Sequence, residues 1–417
     1  MKKWLARLGA GIGVILFAFA LFWYQPWSDF SPAGMNRTFQ PDERVHHFRN
    51  MEDLYPSTTI SGGPYRHSWP RRDGGLKVTY GFRGEQRTLD DFLARVDGTG
   101  LLVIRDGTIL HERYRLGEDK DSRHTSWSVA KSFVSTLVGM AVDDGLITSV
   151  TDRVDAYIPE LKGTAYGAAR IRDLLQMSSG VDFFESYGEP GSNTSMQFSD
   201  AQKILYRTWG FGTPLNDILT GYGKKEEPGT RFEYRSSDTH VLAWLVSSVM
   251  EKPFAQIVED RLWKPLGMEA DATWLLDGSE TGNPIGFCCL NATLRDFARL
   301  GELYRLGGVW NGQRLLSQQW IRAATVPDAD HVQPENVYGT RGYQYQWWVP
   351  AGYDREYLAM GIWGQYIWVD EKAGVVIART SVDPNFRLNT EETIVVFRAI
   401  TKAVSAEPEG ADTLTAN

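Results

Sequence analysis

The order of the two hydrophobic periodicities constrains this chain more than any single residue does. Strand-like runs stand near both ends of the main body, and helical repeats fill the middle. The stretch TGLLVIRDGTILHERY (99–114) holds two apolar runs about Asp106-Gly107, a favoured tight-turn pair, and reads as a hairpin. Towards the other end, YQYQWWV, EYLAMGIWGQYIWVD and GVVIARTS read as strands, with a turn at 370–374. Between them, 151–161, 169–180, AQKILYRTW, 238–253, PFAQIVEDRLWKPLGM and 293–308 read as helices, and EETIVVFRAITKAV closes the body as another. Strands at opposite chain ends satisfy their backbone groups by pairing with each other. The expected fold is therefore α+β: an antiparallel sheet built from both chain ends, flanked by helices, with an inserted helical region. A cleft is expected between the two parts.

The ends of the chain are set apart by composition. Lys2, Lys3 and Arg7 precede an uncharged run at 8–24, and Trp23, Tyr24 and Trp27 follow. Seventeen apolar residues are at the short end for a membrane span. Basic residues before such a run keep the N-terminus in the cytoplasm. Ala18-Phe19-Ala20 has the form of a cleavage site, but the apolar run continues past it. Residues 1–27 are thus expected to be an uncleaved, single-pass anchor in the inner (cell) membrane. The remainder would lie in the periplasm or at the cell exterior. Residues 28–75, rich in Pro, Gly, Ser and Arg, read as a linker that becomes a wrapping segment. Residues 76–404 form the main domain, and 405–417 read as a disordered tail. A net charge of −8 without a basic block argues against a nucleic-acid partner. The 15 Trp and 18 Tyr suit core packing or an aromatic-lined cleft. Cys288 and Cys289 are adjacent, rarely meet ordinary disulfide geometry, and read as small strand residues. No metal-ligand spacing, phosphate loop or dinucleotide fingerprint occurs, so no metal or cofactor is expected.

The chemistry gathers in HTSWSVAKSFVSTLVGMAVDDGLI (124–147). Val129, Phe133, Leu137, Met140 and Ala141 recur at helical steps, Ser126 or Thr125 is placed to cap the start, and Gly145 ends it. Ser128 and Lys131, three apart, share a face. A serine hydroxyl is a poor nucleophile until a base takes its proton. A lysine buried among Trp127, Val129, Ala130 and Phe133 loses preference for its charged form and serves as that base near neutral pH. Taken alone, Ser-x-x-Lys is a weak signal, and a surface helix pair is the plain alternative. A Ser-His-Asp arrangement has no Gly-x-Ser-x-Gly elbow here, although His240 stays open as an alternative base.

With SVAKS on an apolar helix just after a hairpin, and Tyr234-Arg235-Ser236 just before another helix, the sequence resembles the serine β-lactamase and penicillin-binding-protein superfamily. The motifs QMSSGVDF, YRSSDTHVLAWLV, TLRDFARLG, YQWW and GIWGQYIWVD are similar to its 6-aminohexanoate-dimer hydrolase branch, which also contains class C-like esterases. The resemblance spans roughly 95–400 and implies a β-lactamase/transpeptidase-like fold. It makes Ser128 the acylated nucleophile, Lys131 its base and Tyr234 the proton relay. The backbone N–H groups of Ser128 and Ile362, the latter just after Gly361, would form the oxyanion hole. Tyr187 would contact the substrate amide. Ser236 stands where β-lactamases keep asparagine, and Ala359 where they keep the lysine of Lys-Thr-Gly. Trp348 and Trp363 would wall the cleft. The implied activity is hydrolysis of a small-molecule amide or carboxylic ester. A D-alanyl peptidase or β-lactamase, and a catalytically silent envelope binding protein, are the alternatives.

Overall fold

Seven antiparallel strands form the main sheet, in the spatial order Arg341–Gln344, Trp347–Pro350, Glu356–Gly361, Gln365–Asp370, Val375–Ser381, Gly98–Arg105 and Thr108–Tyr114. This computed structural model describes residues 2–24, 27, 28, 30–72, 75–187, 199–278 and 282–406. The chain ends meet where Val376 lies opposite Ile104 and Ala378 opposite Leu102. Asp106 and Gly107 both take positive φ, +48° and +75°, as the two-residue turn of the first hairpin requires.

Both faces of the sheet are covered, which is why its central strands read as continuous apolar runs. On one face Leu102, Ile367, Val369 and Val376 pack into the larger core with Phe297 and Leu300 of the helix Leu294–Arg305. The approach there is close: a Cβ on Gly301 would lie 2.7 Å from Val376 Cγ1. On the other face Leu101, Val103, Trp368 and Ile377 pack with Phe397, Ile400 and Val404 of the closing helix Phe386–Ala406. Each aliphatic side chain so buried contributes about 1.5–3 kcal/mol. The helix Ala130–Asp143 runs through the larger core, buried from Ala130 to Ala141. The helix Ser236–Met250 of the inserted region packs against it, and Asp200–Phe211 joins the same core.

Three features depart from the expectations. The stretch 151–161 forms two short 3₁₀ turns, Val154–Ala156 and Pro159–Leu161, broken by Pro159. A second sheet exists, ordered Ser57–Ile60, Ala272–Leu275, Leu290–Thr293 and Arg123–Thr125. Its first strand comes from the segment read as a linker, which also carries three short helices between Pro32 and Leu54. Third, Cys288 and Cys289 are not strand residues. They precede the strand Leu290–Thr293 and are joined as a disulfide, with Cα atoms 3.7 Å apart. A strand would point neighbouring side chains to opposite faces; the left-handed backbone of Cys289, φ +74°, abolishes that alternation.

On the helix Lys2–Tyr24, Val14, Ile15, Phe17 and Phe19 are all more than 60% accessible. Its apolar part is the shorter stretch Gly9–Phe22, and among the described residues no single helix is long and apolar enough to cross a membrane. The tail expected from 405 begins in the last turn of the closing helix, and 407–417 lie outside the described residues.

Candidate active site

Ser128 sits in a 3₁₀ turn, Trp127–Val129, that leads directly into the helix Ala130–Asp143. Neither Ser126 nor Thr125 caps that start with its side chain. Thr125 ends a strand, and Ser126 is tied to the second sheet instead: its N–H donates to Leu290 O at 2.8 Å and its Oγ accepts from Leu290 N at 3.1 Å. Trp127 is held at φ +43°, which a non-glycine residue adopts only when its surroundings impose it. The second sheet therefore sets where Ser128 points.

Lys131 is 2% exposed, and its Nζ lies 3.0 Å from Ser128 Oγ, 3.1 Å from Ser236 Oγ and 2.8 Å from Phe287 O. Burial pulls its pKa down to about 7, against the opposing pull of the Glu185 carboxylate. Glu185 decides how the protons are arranged. It accepts from Ser236 N–H at 2.6 Å and from Ser236 Oγ–H at 2.8 Å, and Tyr187 donates to it as well. A carboxylate only accepts, so the Ser236 hydroxyl points its proton at Glu185. A neutral Lys131 then spends its two N–H groups on Phe287 O and Ser236 Oγ. Its lone pair is left facing the Ser128 hydroxyl. This is the orientation a general base needs.

Ser236 is consequently not a cleft residue. It is 3% exposed and lies beneath the floor, between Lys131 and Glu185. Glu185 itself was not picked out from the sequence; FFESYG offers only a single acid in a loop, with no spacing to mark it.

Tyr234 stands just before the helix Ser236–Met250, with Lys131 Nζ 5.2 Å from its ring centroid. Its hydroxyl interacts with those of Ser128 and Tyr187, and burial keeps it protonated far above the usual tyrosine range. The strand Glu356–Gly361 arrives from the opposite side. A Cβ on Gly361 would lie 2.6 Å from Ser126 O and 3.2 Å from Ser128 N, so glycine is what lets the strand end reach the serine. Ser128, Gly361 and Ile362 thus share one end of the cleft.

The cleft holds about 920 Å³, and Tyr187, Tyr234, Trp348, Tyr338 and Arg341 form much of its remaining wall. Trp348 stacks on Tyr234 at 5.7 Å with 21° between planes. Trp363 does not wall the cleft. It is 1% exposed and stacks on Phe39 at 5.8 Å, with the Arg44 guanidinium 5.2 Å from its ring. Its left-handed φ of +62° reverses the side-chain direction that strand alternation would predict. His240 is not on the cleft wall either. It is buried, 2.8 Å from Asn216 Oδ1, and burial lowers its pKa to about 4.

Fold and cleft together define a serine hydrolase of β-lactamase/transpeptidase-like architecture. The family model Beta-lactamase matches residues 86–394, and the chain belongs to that family. The 6-aminohexanoate-dimer hydrolase of Paenarthrobacter ureafaciens is 30% identical over 305 residues, covering 71% of this chain and 76% of that one. A Bacillus anthracis protein assigned as a 6-aminohexanoate-dimer hydrolase superimposes with a TM-score of 0.79 at 22% identity, over 89% of this chain and 97% of its own. A family VIII carboxylesterase shares the fold at a TM-score of 0.57 and 16% identity, over 75% and 96% of the two chains.

Proposed function

We propose that the protein hydrolyses a small amide or carboxylic ester through an acyl-enzyme on Ser128. Neutral Lys131 takes the hydroxyl proton as Ser128 Oγ attacks the carbonyl carbon. The carbonyl oxygen gathers negative charge, which the N–H groups of Ser128 and Ile362 receive. Tyr234, between Ser128 and Tyr187, passes the proton to the departing nitrogen or oxygen, and the bond to the leaving group breaks. Water then attacks the acyl-enzyme, and Ser128 recovers its proton. Tyr187 meets the substrate at the cleft wall. The similarity to 6-aminohexanoate-dimer hydrolase supports an amide, and the carboxylesterase likeness supports the same cleft accepting esters.

The observation that carries this reading is the buried Lys131 amine 3.0 Å from Ser128 Oγ. Its test is a short-chain p-nitrophenyl ester given to the full-length protein and to Ser128→Ala, with intact mass recorded beside product release. Turnover and an acyl mass increment are expected only where Ser128 is present. Equal turnover by Ser128→Ala overturns the assignment.

We also place the Lys2–Tyr24 helix in the cell membrane as an anchor, with the catalytic body in the periplasm or cell exterior. The exposed apolar side chains of that helix and its basic start support this. Release of the protein into the soluble fraction without detergent would refute it.

A further inference from the structure

Two tryptophans flank the proposed oxyanion site. Trp127 immediately precedes Ser128, and Trp363 immediately follows Ile362. Ser128 and Ile362 are the residues whose N–H groups receive the carbonyl oxygen in the reaction proposed above. Both tryptophans have left-handed backbones, φ +43° and +62°, which a residue with a side chain adopts only when its surroundings hold it there. Both are buried, and neither indole N–H has a hydrogen-bond partner among the described residues. A buried indole is ordinarily anchored through that N–H. Without it, the orientation of these two rings is left to packing.

One segment of chain supplies the aromatic part of that packing. Phe39 stacks on Trp127 with ring centroids 5.7 Å apart, and on Trp363 at 5.8 Å with 9° between planes. Phe48 meets both edge-on, at 5.2 Å and 5.7 Å. Phe48 is fully buried on the short helix Arg44–Arg49, and Phe39, partly buried, comes just before it. No other aromatic ring among the described residues meets either indole. The two tryptophans belong to separate turns. One leads into the helix Ala130–Asp143, and the other follows the strand Glu356–Gly361. The phenylalanine rings bridge these turns from behind. An oxyanion site works only while its donors converge on one point, and a misplacement of about 1 Å costs on the order of 10²-fold in rate. The bridging segment lies outside residues 86–394, which the family model matches.

We propose that Phe39 and Phe48 are positioning residues for the oxyanion site: their rings clamp Trp127 to Trp363 and so hold the Ser128 and Ile362 N–H groups at one spacing. The segment read as a linker is then a working part of the active site. The effect on catalysis rests on the Ser128 reading; the clamp itself does not.

The test compares the full-length wild type with Ser128→Ala, Phe39→Ala, Phe48→Ala and Phe30→Ala. Each is assayed on the p-nitrophenyl ester, and backbone hydrogen exchange over 125–130 and 360–365 is followed by mass spectrometry. Phe30 belongs to the same segment, but its ring meets Tyr55 and Trp209 instead, at 6.2 Å and 6.4 Å. Phe39→Ala and Phe48→Ala are each expected to lower kcat about ten- to a hundredfold with KM within about twofold of wild type. Both should speed exchange in the two peptides. The pH at which kcat/KM rises is expected to stay at its wild-type value, because the ring contacts end on the tryptophans and not on Lys131. Phe39→Tyr, which keeps the ring, should restore most of kcat. Phe30→Ala should leave kcat and both peptides unchanged. Phe39→Leu and Phe48→Leu, which keep bulk without a flat face, replace any alanine variant that does not fold. With Ser128→Ala inactive, four results each overturn the proposal and leave the Ser128 reading standing: wild-type kcat in both variants, a loss confined to KM, a moved pH step, or an equal loss in Phe30→Ala. If Ser128→Ala keeps full turnover, or the wild type shows none, the Ser128 reading fails. Exchange then decides the clamp, and unchanged exchange in both peptides overturns it.

Discussion

On and beneath the Ser128 wall of the cleft, Ser128, Lys131, Ser236 and Glu185 are joined by hydrogen bonds of 2.6–3.1 Å. On the wall beyond Tyr234, Tyr338, Arg341 and Trp348 are held by ring contacts of 4.8–5.6 Å. Hydrogen bonds are directional and leave little play in either distance or angle. Ring contacts tolerate sliding and tilting. The first wall draws on the helix Ala130–Asp143, the start of the helix Ser236–Met250 and the Phe287 carbonyl, all embedded in the larger core. The second stands on two short strands at the sheet edge, Arg341–Gln344 and Trp347–Pro350. The proton transfer we propose needs the rigid wall, because the reacting atoms must keep their spacing. On the other, a change of ring or charge leaves the reacting atoms in place.

Substitutions that strike each wall separately will break or sharpen this contrast. The largest effect is expected for Ser128→Ala, a loss of at least about 10³-fold in kcat/KM with an unchanged circular-dichroism spectrum. Lys131→Met should follow, with a loss of about 10²–10⁴-fold. The two differ in their pH profiles. Only neutral Lys131 accepts a proton, so wild-type kcat/KM should be low below pH 7, rise through about pH 7 and level off above it. That step should vanish in Lys131→Met. Gly361→Ala places a methyl group 3.2 Å from Ser128 N and should cost about 10²-fold, mainly in kcat, by spoiling the oxyanion site.

Glu185→Gln is expected to cost about tenfold in kcat, because the Ser236 proton is no longer directed away from Lys131. It also carries a sign. The Glu185 carboxylate raises the Lys131 pKa against burial, so its removal should move the wild-type step to lower pH. A step that stays put or moves up would show that Glu185 does not act on Lys131. Smallest of all, Trp348→Ala should raise KM by about three- to tenfold through lost stacking on Tyr234 and lost cleft wall. An equal fall in kcat would show that the aromatic wall also positions the reacting atoms.

Legibility in the sequence followed the range of each interaction. Ser128 and Lys131 were readable because three residues on a helix span one turn. Tyr234 and the Gly361-Ile362 pair could be placed beside Ser128 from the resemblance of their motifs, since each lies where a helix begins or a strand ends. Trp363 was misplaced because a positive φ inverts side-chain direction without leaving a signature in the residue type. Ser236 lies where its motif put it along the chain, but which side of the floor it faces is settled by Glu185, 51 residues away. The second sheet escaped notice because strands of three or four residues are too short to show alternation. The Cys288-Cys289 link was discounted for a sound general reason, and a local left-handed turn overrode it.

By itself, the sequence determined the fold class, the central helix and the face on which Ser128 and Lys131 meet, because periodicity along the chain dictates what points where within one element. Only the tertiary structure decided that Lys131 would be dry and held among Ser128, Ser236 and Phe287. Its partners Ser236 and Phe287 are 105 and 156 residues away, and no local pattern specifies how separate elements close on each other. The pairing of Glu391 with Arg83, and of Glu233 with Lys225 and Arg231, was decided in the same way. A charge in a sequence does not say which of its neighbours in space has already been taken.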